Sequence, residues 1–436
     1  MIWEVSLSEI VKKRALEAGF DLVGIAPISA WSDLEFSRRW VEAGYGGEMG
    51  YLANPKRDDP RHVLPSVQSI VCVGLIYNAP LPYSTEVRKT TGETRAVASG
   101  GLEAANRQRS GTFEDADRKS KTLKPEPRGW ISRYAWGKDY HEVMRARLEQ
   151  LRKHLEALHR NTETRVYVDT GPVIERAFAR YSGIGWTGKN TCLINERRGS
   201  WFFLGVILTN LILTPDLPAP DRCGSCTRCL EACPTRALVK PYVMDASRCI
   251  AYFTIELKGS IPEEFRPAIG NNVFGCDICQ DVCPWNSPQT SGEDSAISRR
   301  QETRRSAVTT GQPEFQPLEI EIKDQKIAND GADVSAPEGP QVFGDSHLEP
   351  ACFSLFNPPL RALASVNEGD FRKAFAHSPI KRAKYRGWLR NLCVAMGNSG
   401  DRSFMPWLER MANHPEAVVR EHARWALARL AKEGVG

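Results

Sequence analysis

The sequence predicts an α+β fold in three parts: an N-terminal α/β core over residues 1–215, a cysteine-rich segment over 216–289 and a helical module over 351–436. Three observations carry this expectation. Helical and strand periodicities alternate up to about residue 215. Eight of the 12 cysteines fall between Cys223 and Cys283. Residues 371–432 are helix-spaced and basic, with 13 Lys+Arg against 4 Asp+Glu. The length of 436 residues exceeds what a single core usually reaches, about 250–300 residues. With 41% hydrophobic and 25% charged residues, disordered and collagen-like classes are excluded. The longest apolar run, residues 204–214, falls short of the ~20 residues of a spanning helix. No basic or cleavable apolar leader opens the chain, so a cytoplasmic protein with no membrane partner is expected.

In chain order, Ser6 and Glu9 form a capping box for a first helix. Ile10, Val11, Arg14, Ala15 and Ala18 follow at helical spacing, and Gly19 stops it. Residues 20–26 (FDLVGIA) and the SIVCVGL run within 65–75 read as buried strands. Residues 165–169 read as a strand entering the turn Thr170-Gly171-Pro172, 174–181 as a helix and 201–208 as another strand. Two polar stretches, 86–127 and 290–350, hold too little apolar surface to offset ordering entropy and are expected to be mobile insertions or linkers. Phe113 is the aromatic of the first, Phe315 and Phe343 those of the second. In the tail, Val419, Ala423, Ala426, Leu427 and Leu430 share one helical face, and Pro406 and Pro415 stand near helix starts. Such pairing suggests a small HEAT-like module.

In a reducing compartment, clustered cysteines indicate metal or cluster ligands rather than disulfides. Cys223, Cys226, Cys229 and Cys233-Pro234 form the C-x₂-C-x₂-C-x₃-C-P run of two-cluster ferredoxins, whose fourth cysteine serves the other cluster. Cys249 and then Cys276, Cys279 and Cys283-Pro284 repeat the ending with the first ligand displaced. By the same crossing, Cys223, Cys226, Cys229 and Cys283 hold one [4Fe–4S] cluster and Cys233, Cys249, Cys276 and Cys279 the other, in a ferredoxin-like domain. A pair of zinc sites is the competing reading, but zinc knuckles do not need the C-x₃-C-P ending. Cys72, Cys192, Cys352 and Cys393 lack ligand spacing and read as small hydrophobes. Two clusters form an electron relay, which requires a redox partner elsewhere in the chain. No G-x-G-x-x-G follows a strand, so a Rossmann nicotinamide or flavin site is unsupported.

Asp169 stands at a strand end before a Gly-Pro turn, where a carboxylate either caps the turn or projects into a cleft. The stretch Gly183-Ile184-Gly185-Trp186-Thr187-Gly188-Lys189-Asn190 suits a backbone lying against a large flat ligand. Together with DTGPVIERAFA, GIGWTGKNTCLI, GCDICQDVCPWN and the late tract SPIKRAKYRGWLRN, the chain resembles the epoxyqueuosine reductase family over most of residues 1–290 and 350–436. The resemblance implies reduction of epoxyqueuosine to queuosine at the tRNA wobble position. Electrons would pass from an external donor through the two clusters to cobalamin. Asp169 would be the proton donor, with a carboxyl pKa raised by desolvation. It further implies cobalamin contacts from Arg61, Asp169, Leu193, Leu204, Ile250, Asp277 and Ile278. No Asp-x-His-x-x-Gly signature is present; Asp139-Tyr140-His141-Glu142-Val143-Met144 lacks the glycine, so no protein histidine is expected on cobalt.

Basic residues with interleaved aromatics at 378–390 fit phosphate binding. With the resemblance, Lys381, Arg382, Lys384, Arg386 and Arg390 are expected to contact tRNA, and Leu257, closing residues 252–257, to border it. Tyr134, Trp136 and Tyr140 are candidates to stack on an extruded base. A monomer is expected. A corrinoid reductive dehalogenase shares these cofactors but has no use for the basic tail. A ferredoxin-type electron carrier leaves the first 215 residues without a role.

Overall fold

The capping box forms as the sequence predicts: Ser6 accepts from the backbone N–H of Glu9, whose carboxylate returns to the Ser6 N–H, and helix α1 runs Leu7–Glu17. The computed structural model describes residues 6–29, 31–90, 125–286, 312–322 and 352–432. After α1 come strand β1 (Leu22–Pro27), helix α2 (Trp31–Glu42) and strand β2 (Ser69–Ile76). Helix α3 (Tyr140–Leu158), strand β3 (Thr164–Tyr167), helix α4 (Glu175–Tyr181) and strand β4 (Phe202–Thr209) complete the core.

These strands form one sheet in the order β1-β2-β4-β3, with every pairing antiparallel. The expected α/β core is therefore corrected to an antiparallel α+β layer. Helix–strand alternation along a sequence does not say in which direction the chain re-enters the sheet. β2 lies in the middle, buried along its whole length. Its side chains alternate between two cores, as period-2 geometry requires. Val71, Val73 and Leu75 meet Met144, Leu148, Leu151 and Leu155 of α3. Ile70, Cys72 and Ile76 meet Phe178 and Ala179 of α4. Gly24 of β1 permits the close pass of the turn after α4, since a Cβ there would stand 2.0 Å from the Ser182 carbonyl oxygen.

Two C-terminal helices, α5 (Lys384–Ser399) and α6 (Ala417–Lys432), pack closely; a Cβ on Gly397 would lie 2.8 Å from that of Ala426. They are not a separate body. Trp388, Leu392 and Ala426 share one continuous apolar core with Trp130, Ile131, Val273 and Phe274. Residues 272–274 also pair in parallel with Trp130–Ile131, which joins the cysteine-rich region to the same core.

Most of the two polar stretches, 91–124 (with Phe113) and 287–311 and 323–351 (with Phe343), lies outside the described residues. Residues 312–322 are not a free linker. Phe315 is 2% exposed, its ring 5.1 Å from that of Phe203. Arg147 donates to Gln312 at 2.9 Å, and Glu319–Glu321 pairs antiparallel with Cys352–Ser354. One aromatic in a ready hydrophobic slot is enough to fix so short a segment. Cys352, expected as a small hydrophobe, is exposed, whereas Cys72 and Cys393 are buried. Among the described residues no helix is long and apolar enough to cross a membrane.

Candidate active site, thiol clusters and basic groove

Asp169 lies just past β3, with φ +54°, a left-handed backbone that few non-glycine residues adopt. The turn is held by the Thr170 N–H on the Val168 carbonyl at 2.6 Å and by Arg57 Nη1 on the Gly171 carbonyl at 3.1 Å. Gly171 presses on Tyr167, where a Cβ would come within 2.2 Å of the ring. This geometry turns the half-exposed Asp169 carboxylate outward, away from the core. The first turn of α3 meets it. His141 Nε2 stands 3.4 Å from Asp169 Oδ2, and the Tyr140 hydroxyl also donates to that carboxylate. His141 Nδ1 lies 2.7 Å from Asp139 Oδ1, and Asp139, the N-cap of α3, meets Lys381 Nζ at 2.9 Å.

The expected raised pKa of Asp169 is corrected. Burial pushes it up, but the hydrogen bond and positive charge of His141 outweigh that and hold the carboxyl below its ordinary range. His141 responds oppositely: burial lowers its pKa, yet the bonds to Asp139 and Asp169 lift it to about 9. Glu175, buried behind Asp169, is pushed up to about 7 by burial and then by the Asp169 charge. Tyr140 stacks on Phe203 with centroids 4.3 Å apart, and Tyr134 meets Tyr140 edge-on at 6.2 Å. Both sit close enough to Asp169 to feel its charge. Trp136 is fully buried, and its Nε1 donates to the Ile131 carbonyl at 2.7 Å.

Cys223, Cys226, Cys229 and Cys283 line one cavity of about 250 Å³. Burial, then the neighbouring Cys226 and Cys223, push the Cys229 thiol up to about 11. Cys233, Cys249, Cys276 and Cys279 form a second neighbourhood: Cys249 feels Cys233, Cys276 feels Cys249, and Cys279 feels both Cys276 and Cys249. Around one zinc, sulfurs would gather within about 4 Å of each other, since each Zn–S bond is about 2.3 Å. Among the described residues no three His, Cys, Asp or Glu side chains converge closely enough for a single ion. Cys192 lies close enough to Cys279 for each thiol to act on the other.

The glycine-rich stretch does not lie against an open ligand surface. A Cβ on Gly185 would stand 2.2 Å from the Ile194 carbonyl oxygen, so this glycine serves a tight hairpin. The two residues beyond grip the thiol loops. Buried Lys189 donates to the carbonyls of Gly224 at 2.6 Å and Cys226 at 2.9 Å, and Asn190 donates to that of Cys279 at 3.1 Å. Lys189→Met would remove both bonds from these partly buried carbonyls, at a cost of about 1 kcal/mol each. Urea unfolding is expected to show a lowered midpoint, together with reduced iron uptake.

Of the residues expected at the corrin, Arg61 is tied to its own Asp59 at 2.7 Å, and Leu204 is half-buried on β4. Leu193, Ile250 and Ile278 are buried in packing. Asp277 is 1% exposed and accepts from Trp130 Nε1, Ser132 Oγ and the Arg133 N–H at 3.0, 2.5 and 2.9 Å. Its carboxylate is fully used inside the protein.

A second cavity of about 480 Å³ is bordered by Leu257, Lys258, Arg382, Lys384 and Arg386, with Glu48 and Glu256 as its acids. Arg382 pairs with Glu256 at 2.6 Å and lies over the Tyr51 ring at 5.8 Å. Its charge also reaches Asp169, so groove and acid share one neighbourhood. Arg390 is corrected from surface contact to buried clamp: it is 1% exposed, and its Nη1 donates to the carbonyls of Leu257 and Gly259 at 2.8 Å each. Asn391 adds bonds to the Thr254 and Val273 carbonyls at 2.8 Å. Lys381 faces Asp139 rather than the groove.

Residues 111–170 match a family model described as epoxyqueuosine reductase QueG, DUF1730, and residues 222–286 match a 4Fe-4S double cluster binding domain. The epoxyqueuosine reductase of Pseudomonas aeruginosa PAO1 is 36% identical over 97% of this chain and 94% of its own length. That of Synechocystis sp. PCC 6803 is 36% identical over 85% and 98%. A crystal structure of epoxyqueuosine reductase with an epoxyqueuosine-modified tRNA-Tyr stem loop is 29% identical, with TM-score 0.69, over 98% of this chain and 92% of that one.

Proposed function

The chain belongs to the epoxyqueuosine reductase family, and on that premise we propose that it reduces the oxirane of epoxyqueuosine in the tRNA wobble position to the alkene of queuosine, with Asp169 as proton donor. The observation that carries this reading is the placement of the Asp169 carboxylate on a strained turn, beside a basic groove. The chain is an oxidoreductase with a double-cluster iron–sulfur domain. In the crossed ligand scheme, Cys223, Cys226, Cys229 and Cys283 hold one [4Fe–4S] cluster and Cys233, Cys249, Cys276 and Cys279 the other. The shared cavity of the first four supports it.

The site's chemistry fits a cobalamin. One buried polar atom close to Asp169, Glu175 Oε1, has no hydrogen-bond partner among the described residues, as a ligand rimmed with amides would require. When bound, cobalamin supplies a low-valent metal that can deliver electrons to carbon. Asp169, Leu204 and Arg61 retain side-chain surface that could hold it, whereas the buried Leu193, Ile250, Asp277 and Ile278 would act through backbone or packing. With its two nitrogens facing Asp139 and Asp169, His141 is held away from a role on cobalt. Tyr140 and Tyr134 stand beside Asp169, and Asp169, ionised at rest, must take up a proton before it can give one where the oxygen departs.

Lys384 and Arg386, exposed on the groove, are the residues we assign to tRNA phosphates, with Arg382 and Leu257 at its edge and the C-terminal helices as a HEAT-like platform. Replacing Lys384 and Arg386 by Gln is expected to weaken tRNA binding about tenfold and to flatten its log–log salt dependence by ~1–2 in slope. An unchanged slope would assign that face to solubility. We take the enzyme to work in the cytoplasm as a monomer served by an external electron donor. The decisive assay is anaerobic turnover of tRNA carrying epoxyqueuosine, with and without added cobalamin. Turnover that ignores cobalamin would remove it from the reaction, and no turnover under any reductant would remove the assigned activity.

A further inference from the structure

Opening an oxirane to an alkene breaks two C–O bonds, forms one C=C bond and releases water, which takes up two electrons and two protons. The electrons come through the clusters from the external donor. Asp169 can hand over only one proton at a time and must be recharged before the second C–O bond breaks. The side chain placed to do this is His141. Its Nε2 points at Asp169 Oδ2 from 3.4 Å and has no nearer partner among the described residues. Its other nitrogen is fixed by Asp139 at 2.7 Å, and Asp139 in turn by Lys381 at 2.9 Å. Once Asp169 has given its first proton, the four groups alternate in charge, Lys381, Asp139, His141, Asp169, and the His141 proton is next to the emptied carboxylate.

We propose that His141 is a positioning residue that stores the second proton and returns it to Asp169 between the two C–O cleavages, its ring held by the Lys381–Asp139 pair. This inference rests on the reading of Asp169 as proton donor. The ring stacks on Tyr140 with centroids 4.1 Å apart, so it cannot swing without losing that contact. The other charges facing Asp169, Arg382 across the groove and Glu175 behind it, act on the carboxylate rather than on the imidazole. The expected pH dependence follows in sign: turnover needs the protonated ring and falls as pH rises through about 9.

The test is single-turnover reduction of epoxyqueuosine tRNA by reconstituted holoenzyme across this pH range, using wild type, His141→Gln, His141→Ala, Asp139→Asn and Asp169→Asn. Cluster absorption and tRNA affinity serve as folding controls. Expected for His141→Gln is a ~10²-fold slower reaction at neutral pH, with the alkaline fall moved to lower pH and tRNA affinity unchanged. Added imidazole should restore part of the rate to His141→Ala, and Asp139→Asn should shift the alkaline fall in the same direction by less. A His141→Gln profile that matches wild type, or a slow His141→Ala enzyme that imidazole does not help, overturns the proposal. An inactive Asp169→Asn beside a normal His141→Gln ends this inference alone, whereas an active Asp169→Asn ends the donor assignment itself.

Discussion

Asp169→Asn is expected to slow turnover on epoxyqueuosine tRNA by ~10²–10⁴-fold, the range that a positioned general acid supplies, with cluster absorption and tRNA affinity unchanged. Asparagine tolerates the left-handed φ of +54° at this position better than other residues do. It can still accept from Tyr140, but it has no proton to give. Losing the carboxylate also removes one of the two charges that raise His141, so that ring should titrate at lower pH than in the wild type. Turnover within about threefold of wild type would remove Asp169 from the donor role.

Cys283→Ser is expected to remove about half of the bound iron, the share of one cube in a crossed pair, and to abolish turnover by breaking the electron path. In sequence Cys283 sits beside Cys276 and Cys279, yet in space it borders the cavity of Cys223, Cys226 and Cys229. Uncrossed ligation predicts the opposite loss. Iron counting with EPR on Cys283→Ser, Cys233→Ser and Cys226→Ser separates the two: Cys283→Ser should lose the signal that Cys226→Ser loses and retain the one that Cys233→Ser loses. If Cys233→Ser and Cys226→Ser lose the same signal, the crossing is wrong.

Much of this was legible before any coordinates. The Ser6–Glu9 box, the buried apolar run that forms β2 and the spacing of eight cysteines are local patterns, and local patterns survive folding. Other features were not legible because they depend on which side of an element meets a neighbour. Arg390 and Lys381 read like Lys384 and Arg386 in a basic segment, but one lies under the Tyr252–Glu256 turn and the other faces Asp139. Asp277 looked like a cofactor contact between two ligand cysteines until Trp130 and Ser132 were seen to consume it. His141 was in view and set aside for want of a glycine that matters only if the histidine binds cobalt. Lys189 gave no spacing signal for its grip on the first thiol loop.

Arg390 and Asn391 fasten the turn Tyr252–Glu256, which begins three residues after Cys249, to the helix that carries Lys384 and Arg386. On the proposed assignment of Lys384 and Arg386, a copy stripped of iron is therefore expected to loosen its grip on the RNA as well as lose its electron path.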